Sequence, residues 1–382
     1  MTSTNERFTF QAKRELQGLV PYEAGLSVEA LRREIGGDGP IVKLGSNEGP
    51  WGPLPAAVEA IRDQVAGLNR YPDGAFFDLK DDLAVITGAA REQIVLGNGA
   101  DSILINLSLA LLAPGDEVIF GWPSFITYPL SVRKVGAVPV AVPLDADYRY
   151  DLDAMLARVS DRTRCVYVCN PNNPTGTYVD RDRLRAFVDA LPEHVLCVVD
   201  EAYHEYVTAP GYPDGIAELI AEGRPSVMVL RTMSKIYGLA GLRVGWGVGP
   251  AEVVRAIDTV RGPFEMNALA NAAARASLTE RALLAERVAS NESGRVALAA
   301  ALREVGLTPI DGVGNFLCVP LTDGVTGRAV AERMQREGVI VRPLDGFGMP
   351  DGFRITVGTP AENEIAVDAM RSVLPELLRN AN

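Results

Sequence analysis

Short runs of β-branched residues alternate with amphipathic stretches along the chain from about residue 92. The strand-like runs are QIVLG, PGDEVIFGW, AVPVAVPL, RCVYVCN, VLCVVDEAY, SVMVLRT and LRVGWGVG. Between them lie helix-like stretches such as ADSILINLSLALLA, PSFITYPLSVRKVG and DRLRAFVDAL. This alternation predicts an α/β domain with a mostly parallel sheet. Because CVYV and LCVVD are apolar on both faces, we expect helices to cover both faces of that sheet.

The rest of the pattern predicts a second, smaller unit. Residues 264–311 are alanine-rich and helical in pattern. Beyond them NFLCVPL, VIVRPL and FRITVG, with a helix around GRAVAERMQREG, indicate a smaller α+β domain. A chain of 382 residues is long enough for two such domains. We therefore predict an N-terminal arm (1–45) packing with the small domain, a large domain (46–260) and a small C-terminal domain (261–382).

The overall charge argues against two classes of partner. With 37 basic and 49 acidic residues the net charge is −12, which attracts neither nucleic acid nor an anionic membrane. No apolar run approaches the roughly 20 residues of a membrane span. The N-terminal sequence MTSTNERFTFQAKREL lacks the apolar core of a secretory signal. We therefore expect a cytoplasmic protein with neither a nucleic-acid nor a membrane partner.

Cysteine and histidine usage argues against a metal centre. The four cysteines lie in apolar strand-like runs, where burial in the core is the favoured interpretation. The two histidines, His194 and His204, are too few for a His-rich metal site and make a Ser-His-Asp triad an unfavoured interpretation. We expect no metal ligands.

Polar motifs follow three of the predicted strands, where doubly wound sheets bind ligands. The glycine loop LGNGADS (96–102) precedes a helix whose N–H groups suit a phosphate, although a plain tight turn explains it equally well. NPNNPTG (170–176) is a rigid turn with several fixed amides. Asp200 ends an apolar strand, where a carboxylate needs hydrogen-bond donors or a cation, a structural arginine being the alternative.

A fourth motif centres on Lys235, which follows the strand SVMVLRT. Thr232, Ser234 and Arg243 surround it, and a neighbouring cation together with burial lowers the pKa of a lysine. A lysine that forms a Schiff base requires such a lowered pKa. A ligand that combines a phosphate, a pyridine ring and an aldehyde would use all four motifs, with Asp200 pairing the ring nitrogen.

The chain resembles the fold-type I pyridoxal-phosphate aminotransferases, and most of all their histidinol-phosphate aminotransferase subfamily. The resemblance covers nearly the whole chain, through KLGSNEGPWGPLP, RYPDG, GNGADS, NPNNPTG, DEAYHEY, RTMSKIYGLAGLRVG, GVIVRPL and FRITVGTPAENE. It implies the aspartate-aminotransferase-like fold, pyridoxal 5'-phosphate as cofactor, and a place in histidine biosynthesis. It also implies ping-pong transamination between glutamate/2-oxoglutarate and histidinol phosphate/imidazole acetol phosphate, so the partners are a small-molecule amino donor and keto acceptor.

The resemblance also implies a role for individual residues. Lys235 is implied to be the Schiff-base lysine and the base that moves the α-proton. Asp200 pairs with the pyridine nitrogen, Asn173 and Tyr203 bind the ring hydroxyl oxygen, and Tyr128 stacks on the ring. The phosphate is held by Ala100, Asp101, Ser102, Thr232, Ser234 and Arg243.

Four further residues are implied to bind the substrate. Arg342 and Arg354 grip its far anion, and a planar guanidinium suits both carboxylate and phosphate. Tyr22 closes over the substrate, and Asn315 lies near it.

The segment SNEGPWG departs from the family pattern SNENPYG, with Gly49 and Trp51 in place of an asparagine and a tyrosine. In the family that tyrosine reaches the partner subunit's cofactor phosphate. The resemblance therefore implies a homodimer with a cross-subunit contribution near Trp51, although an indole N–H donates one hydrogen bond and accepts none.

Other functions compatible with the pattern are an aromatic amino-acid (phenylalanine) aminotransferase and, less favoured, a same-fold phospho-amino-acid decarboxylase. A cofactor-binding transcriptional regulator would need a DNA-binding module, which the roughly forty residues before the first motif do not supply. A catalytically inactive interaction protein is disfavoured because Lys235, Asp200 and Arg243 are all present.

Overall fold

The computed structural model describes residues 13–19, 21, 23–36 and 39–381. The α-helices in these ranges are α1 (Val28–Ile35), α2 (Pro55–Val65), α3 (Phe77–Thr87), α4 (Ala100–Leu111), α5 (Thr127–Lys134), α6 (Leu152–Leu156), α7 (Arg181–Ala190), α8 (Ala251–Val260), α9 (Ala268–Ser277), α10 (Arg281–Glu304), α11 (Gly327–Arg336) and α12 (Pro360–Ala381). The strands are β1 (Val42–Lys43), β2 (Ile94–Asn98), β3 (Glu117–Trp122), β4 (Val138–Pro143), β5 (Thr163–Cys169), β6 (Leu196–Asp200), β7 (Val227–Thr232), β8 (Val244–Val248), β9 (Phe316–Pro320), β10 (Val339–Ile340), β11 (Arg342–Pro343) and β12 (Gly352–Thr356).

Seven strands form a central sheet in the order β2-β8-β7-β6-β5-β3-β4. All neighbouring pairs are parallel except those of β8, which runs antiparallel to β2 and β7. Residues 233–243 connect β7 to β8 without an α-helix, and a connection this short does not support a parallel crossover. Every residue of β6 and β8 is buried, so both faces of the sheet are covered. The predicted α/β fold with a mostly parallel sheet is confirmed.

A smaller set of strands follows in the C-terminal part. β11, β12 and β9 form an antiparallel sheet in that order. β1, from the N-terminal part, pairs in parallel with β10 through Val42 and Val339. Residues 42–44 thereby join the C-terminal strands.

The apolar core forms two main clusters. The first draws on residues 54–274 together with Phe316, and the second on residues 42–44 and 298–377. The first encloses the central sheet, and the second packs α11 and α12 against the smaller sheets. In the described ranges, no helix combines the length and apolarity that crossing a membrane requires.

Candidate active site

A cavity of about 530 Å³ opens where β2, β5, β6 and β7 end. These four strands run in the same direction, so the polar residues that follow them meet at one edge of the sheet. Eleven of the residues singled out from the sequence line the cavity: Ala100, Asp101, Asn173, Asp200, Tyr203, Thr232, Ser234, Lys235, Arg243, Arg342 and Arg354.

Lys235 lies in the loop after β7, with Nζ 5.4 Å from the centre of the Tyr203 ring. Burial, and then the positive charge of Arg354, lower the pKa of its amine to about 8. A substantial share of the amine is therefore neutral just above neutral pH and can act as a nucleophile or accept a proton.

Asp200 is the last residue of β6 and only 3% exposed. Its carboxylate accepts hydrogen bonds from the Tyr128 hydroxyl (2.8 Å) and the Ala202 N–H (3.1 Å), both neutral groups. No arginine in the described part of the chain pairs with it, so the structural salt bridge considered above is not what holds it. Burial raises the pKa of this carboxyl to about 6, and the hydrogen bonds from Tyr128 and Ala202 offset that effect only in part.

The N-terminus of α4 forms an anion cradle at the cavity wall. No side chain caps the helix at Gly99, and Ala100 and Asp101 of its first turn line the cavity, which places the positive end of the helix dipole there. The Arg243 guanidinium packs over Gly99, whose φ of +82° and lack of a Cβ permit this: a Cβ there would lie 2.4 Å from Nη2. Arg243 also donates to the Asp101 carboxylate at 3.3 Å, so Asp101 holds the arginine in place.

Two hydroxyls complete the cradle. Thr232 Oγ1 lies 3.0 Å from Ser234 Oγ and 3.0 Å from the Val244 carbonyl oxygen. It also accepts from the Ser234 N–H at 3.2 Å. Both side chains are buried except where they face the cavity.

Ser102 is not part of the cavity wall. Its hydroxyl donates to the Gly99 carbonyl at 3.1 Å, and its own N–H bonds the same oxygen at 3.3 Å. Both donors of Ser102 are used within the first turn of α4 here, and its expected phosphate contact stays a prediction.

Tyr128 is also behind the wall rather than in it. Its ring is fully buried among Phe120, Phe125 and Tyr167, and its hydroxyl is held by Asp200. The ring has no exposed face in the structure, and its expected stacking role stays a prediction. Phe125, three residues earlier, does line the cavity.

Asn173 follows β5 and Tyr203 follows β6, and both residues line the cavity. Asn173 Oδ1 accepts a hydrogen bond from Arg354, which leaves the amide N–H groups of Asn173 for a ligand. The Tyr203 hydroxyl accepts from Asn47 Nδ2 at 2.9 Å, and burial raises the pKa of the phenol well above its usual range. Tyr203 therefore stays protonated and keeps its own hydrogen for donation.

Arg342 and Arg354 are directly paired across β11 and β12, so their side chains lie on the same face. Like charges at paired positions repel unless an anion lies between them or other groups compensate. Arg354 is 4% exposed and donates to Asn173 and to the Gly45 carbonyl. Arg342 donates to the Glu23 carbonyl at 2.7 Å, and both guanidinium groups lie 5.5 Å from the Phe347 ring centre.

The other residues singled out lie elsewhere. Asn315 is buried and does not line the cavity; its Nδ2 donates to the Asn47 carbonyl at 3.0 Å, and its expected substrate contact stays a prediction. Trp51 does not line the cavity; its ring lies 5.6 Å from the Arg287 guanidinium. Tyr22 falls outside the described residues, and its expected role stays a prediction.

Sequence reasoning missed two side chains of the site. Phe125 is one, two residues after Pro123 in the motif that contains Tyr128. Asn47 is the other; it lies in the SNEGPWG segment, and its backbone has a φ of +54°. No local pattern marks its contact with Tyr203, which is 156 residues away along the chain.

Comparison with known proteins agrees with this arrangement. The family model described as "Aminotransferase class I and II" matches residues 39–370. Histidinol-phosphate aminotransferase 2 of Pseudomonas fluorescens (strain Pf0-1) is 45% identical over 368 residues, covering 96% of this chain and 98% of the relative. Histidinol-phosphate aminotransferase 1 of Nitrosococcus oceani is 44% identical, covering 94% and 96%.

Solved structures show the same fold. The histidinol-phosphate aminotransferase from Sinorhizobium meliloti, in complex with pyridoxal-5'-phosphate, superposes with a TM-score of 0.86 at 31% identity, covering 100% of both chains. From its sequence and its fold alike, this chain belongs to the class I and II aminotransferase family.

Proposed function

We propose that this protein is a pyridoxal 5'-phosphate-dependent histidinol-phosphate aminotransferase. The observation that carries the proposal is a single cavity shared by Lys235, the buried carboxylate of Asp200 and the uncapped N-terminus of α4. The names of relatives at 45% and 44% identity over nearly the whole chain support the substrate.

Each chemical group of this cofactor has matching residues in the cavity. A carboxylate without a contacting cation, such as Asp200, suits a protonated pyridine nitrogen. The start of α4 with Arg243, Thr232 and Ser234 suits the phosphate, and the donors of Asn173 and Tyr203 suit the ring hydroxyl oxygen. Phe125 at the cavity wall offers the aromatic face that Tyr128 does not.

When bound, the cofactor supplies an aldehyde and a ring that accepts electrons. The protein supplies the rest. Lys235, with its pKa near 8, would hold the cofactor through that aldehyde and, once the substrate's amine had taken its place, would be free to take and return the substrate's α-proton. Asp200 would pair with the ring nitrogen and keep it protonated, the form in which the ring accepts electrons. The buried walls exclude water from the reacting atoms.

Arg342 and Arg354 are proposed to bind the anion at the far end of the substrate. Their paired positions on β11 and β12 place two forked donors on one face. A glutamate carboxylate in one half-reaction and the phosphate of histidinol phosphate in the other would occupy the same site. Phe347 packs against both guanidinium groups and helps to fix their orientation.

The test is a substrate panel with the purified protein loaded with pyridoxal 5'-phosphate. We expect glutamate with imidazole acetol phosphate to give the highest kcat/KM. Phenylpyruvate is the matched comparison, because Phe125, Leu130 and Phe347 give the cavity an apolar wall that an aromatic side chain would also fit. Strong activity on phenylpyruvate with none on imidazole acetol phosphate would replace the proposed substrate by an aromatic amino acid.

We further propose a cytoplasmic homodimer. Tyr71 is 80% exposed and Phe264 is 43% exposed, yet the two rings stack at 4.6 Å. An exposed aromatic pair of this kind is typical of a surface that a partner covers. Trp51, held over Arg287 away from its own cavity, would contribute to the partner subunit's site. The acidic net charge and four free, buried cysteines are consistent with the cytoplasm.

A further inference from the structure

Asn47 joins three separate parts of the molecule. It is fully buried (0% exposed) in the segment between β1 and α2, with a φ of +54°. Its N–H donates to Thr356 Oγ1 at 2.9 Å, and its carbonyl accepts from Asn315 Nδ2 at 3.0 Å. Its side-chain amide donates to the Tyr203 hydroxyl at 2.9 Å. A buried residue that makes this many contacts holds whatever it touches in one orientation.

The contact with Tyr203 determines what that hydroxyl can do. A phenol has one hydrogen to donate, and here the oxygen already accepts from Asn47. The hydrogen is therefore available to an acceptor in the cavity that Tyr203 lines. A hydrogen bond accepted by the oxygen also polarises the O–H and strengthens its donation.

The other contacts connect Asn47 to β12. The Thr356 N–H donates to the Leu44 carbonyl at 2.8 Å, and Arg354 donates to the Gly45 carbonyl at 3.0 Å. Residues 44–47 are thus hydrogen-bonded to the strand that carries Arg354. A shift of β12 when an anion binds Arg354 would carry Asn47 with it.

We propose that Asn47 is a positioning residue, which sets the Tyr203 hydroxyl against the ring hydroxyl oxygen of the cofactor and links that contact to β12. The inference rests on the proposed function, because it requires pyridoxal 5'-phosphate in the cavity. Asn47 itself does not line the cavity; it acts through Tyr203.

The test is the pH midpoint of the visible absorbance of the protein loaded with pyridoxal 5'-phosphate. Tyr203→Phe removes the donor to the ring oxygen and shifts this midpoint by about 1 pH unit, the value of one hydrogen bond. Asn47→Gly, which tolerates the positive φ, should shift it in the same direction by about half as much. In the Asn47→Gly/Tyr203→Phe double variant the shift should equal that of Tyr203→Phe alone.

A purely structural role predicts a different result. If Asn47→Gly has the wild-type midpoint, or if the two shifts add in the double variant, the inference is wrong. Asp323→Gly is the matched control, because Asp323 has a φ of +56° but lies at an exposed turn, and it should leave the midpoint unchanged. If Asn47→Gly does not fold, Asn47→Asp keeps the size of the side chain and replaces the donor by an acceptor.

The proposed link between Asn47 and β12 is tested by a separate set of variants. Thr356→Val removes the hydroxyl that holds Asn47 and should shift the midpoint in the same direction, whereas Thr356→Ser should retain the wild-type value. A wild-type midpoint for Thr356→Val overturns the link. The proposed function is tested by the wild-type protein alone. If that protein gains no visible absorbance with pyridoxal 5'-phosphate, the proposed function is wrong, regardless of the results with the variants.

Discussion

At the residue scale, burial moves the pKa values of two groups in the cavity toward neutrality. It lowers that of Lys235 to about 8 and raises that of Asp200 to about 6. Both shifts have the same cause, since burial disfavours whichever form is charged. A lysine ready to lose its proton and a carboxylate in need of a cation are what the proposed cofactor would use.

Replacing Lys235 should abolish transamination without unfolding the protein. We expect Lys235→Ala and Lys235→Arg to lose both the visible absorbance with pyridoxal 5'-phosphate and all measurable turnover. The arginine variant is the matched control for charge, because it keeps the cation but is a poor nucleophile. Thermal unfolding should stay near that of the wild type, and near-wild-type turnover in either variant would refute the role of Lys235.

Asp200→Asn should stabilise the cofactor-free protein while slowing the loaded enzyme by orders of magnitude. The pKa of Asp200 rises from 3.8 to about 6 on folding, so the folded state holds this proton more tightly and its stability falls as pH rises through that window. At pH 8 the variant should gain at most about 3 kcal/mol in free energy of unfolding, and the gain should vanish below about pH 4.

Urea unfolding at pH 4 and pH 8 measures this difference. Asp161→Asn, at an exposed position, is the control and should show no such pH dependence. A destabilised Asp200→Asn at pH 8 would mean that burial is not the main cause of the shift.

Arg354→Ala should raise KM for the amino donor and for the keto acceptor together. The guanidinium is proposed to bind both anions, and truncating one partner of a charged hydrogen bond costs about 2–5 kcal/mol. Steady-state kinetics with both substrates measure the effect, with Arg342→Ala alongside as the neighbouring guanidinium. A variant with weaker cofactor binding and unchanged KM would contradict the substrate role of Arg354.

At the scale of elements, the start of α4 depends on a glycine. Gly99→Ala would place a Cβ 2.4 Å from Arg243 Nη2 and displace the guanidinium from the helix N-terminus. We expect a loss of affinity for pyridoxal 5'-phosphate of at least about tenfold, measured by absorbance titration. Gly115→Ala is matched for strain, since its φ is +92° with nothing within 4 Å of a Cβ, and should leave the affinity unchanged.

At the scale of the whole molecule, the exposed aromatic pair of Tyr71 and Phe264 is the feature that predicts assembly. Replacing both by serine should shift the protein from dimer to monomer at micromolar concentration, because such interfaces depend on a few aromatic side chains. Sedimentation velocity measures the oligomeric state. Val296→Ser, an exposed apolar residue on α10, is the control; an unchanged dimer in the double variant would place the interface elsewhere.

The directions of the strands in the central sheet followed from the pattern only in part. Alternating apolar and amphipathic runs predicted a mostly parallel sheet, which is confirmed, but they did not identify β8 as the antiparallel strand, which no helix connects to β7. The functional residues that follow the strands were easier to predict than the strand directions. Lys235, Asp200 and Asn173 are unusual residue types at strand ends, and the topology of a parallel sheet brings such ends together.

The sequence by itself thus determined the α/β class, the lysine and its carboxylate, and the glycine loop before a helix. Only the tertiary structure decided which side chains face the cavity. Ser102, Tyr128 and Asn315 are turned away by hydrogen bonds to Gly99, Asp200 and Asn47, whereas Phe125 lines the wall. The physical reason is that a polar side chain takes its orientation from whichever partner it bonds, and two of these three partners lie far away along the chain.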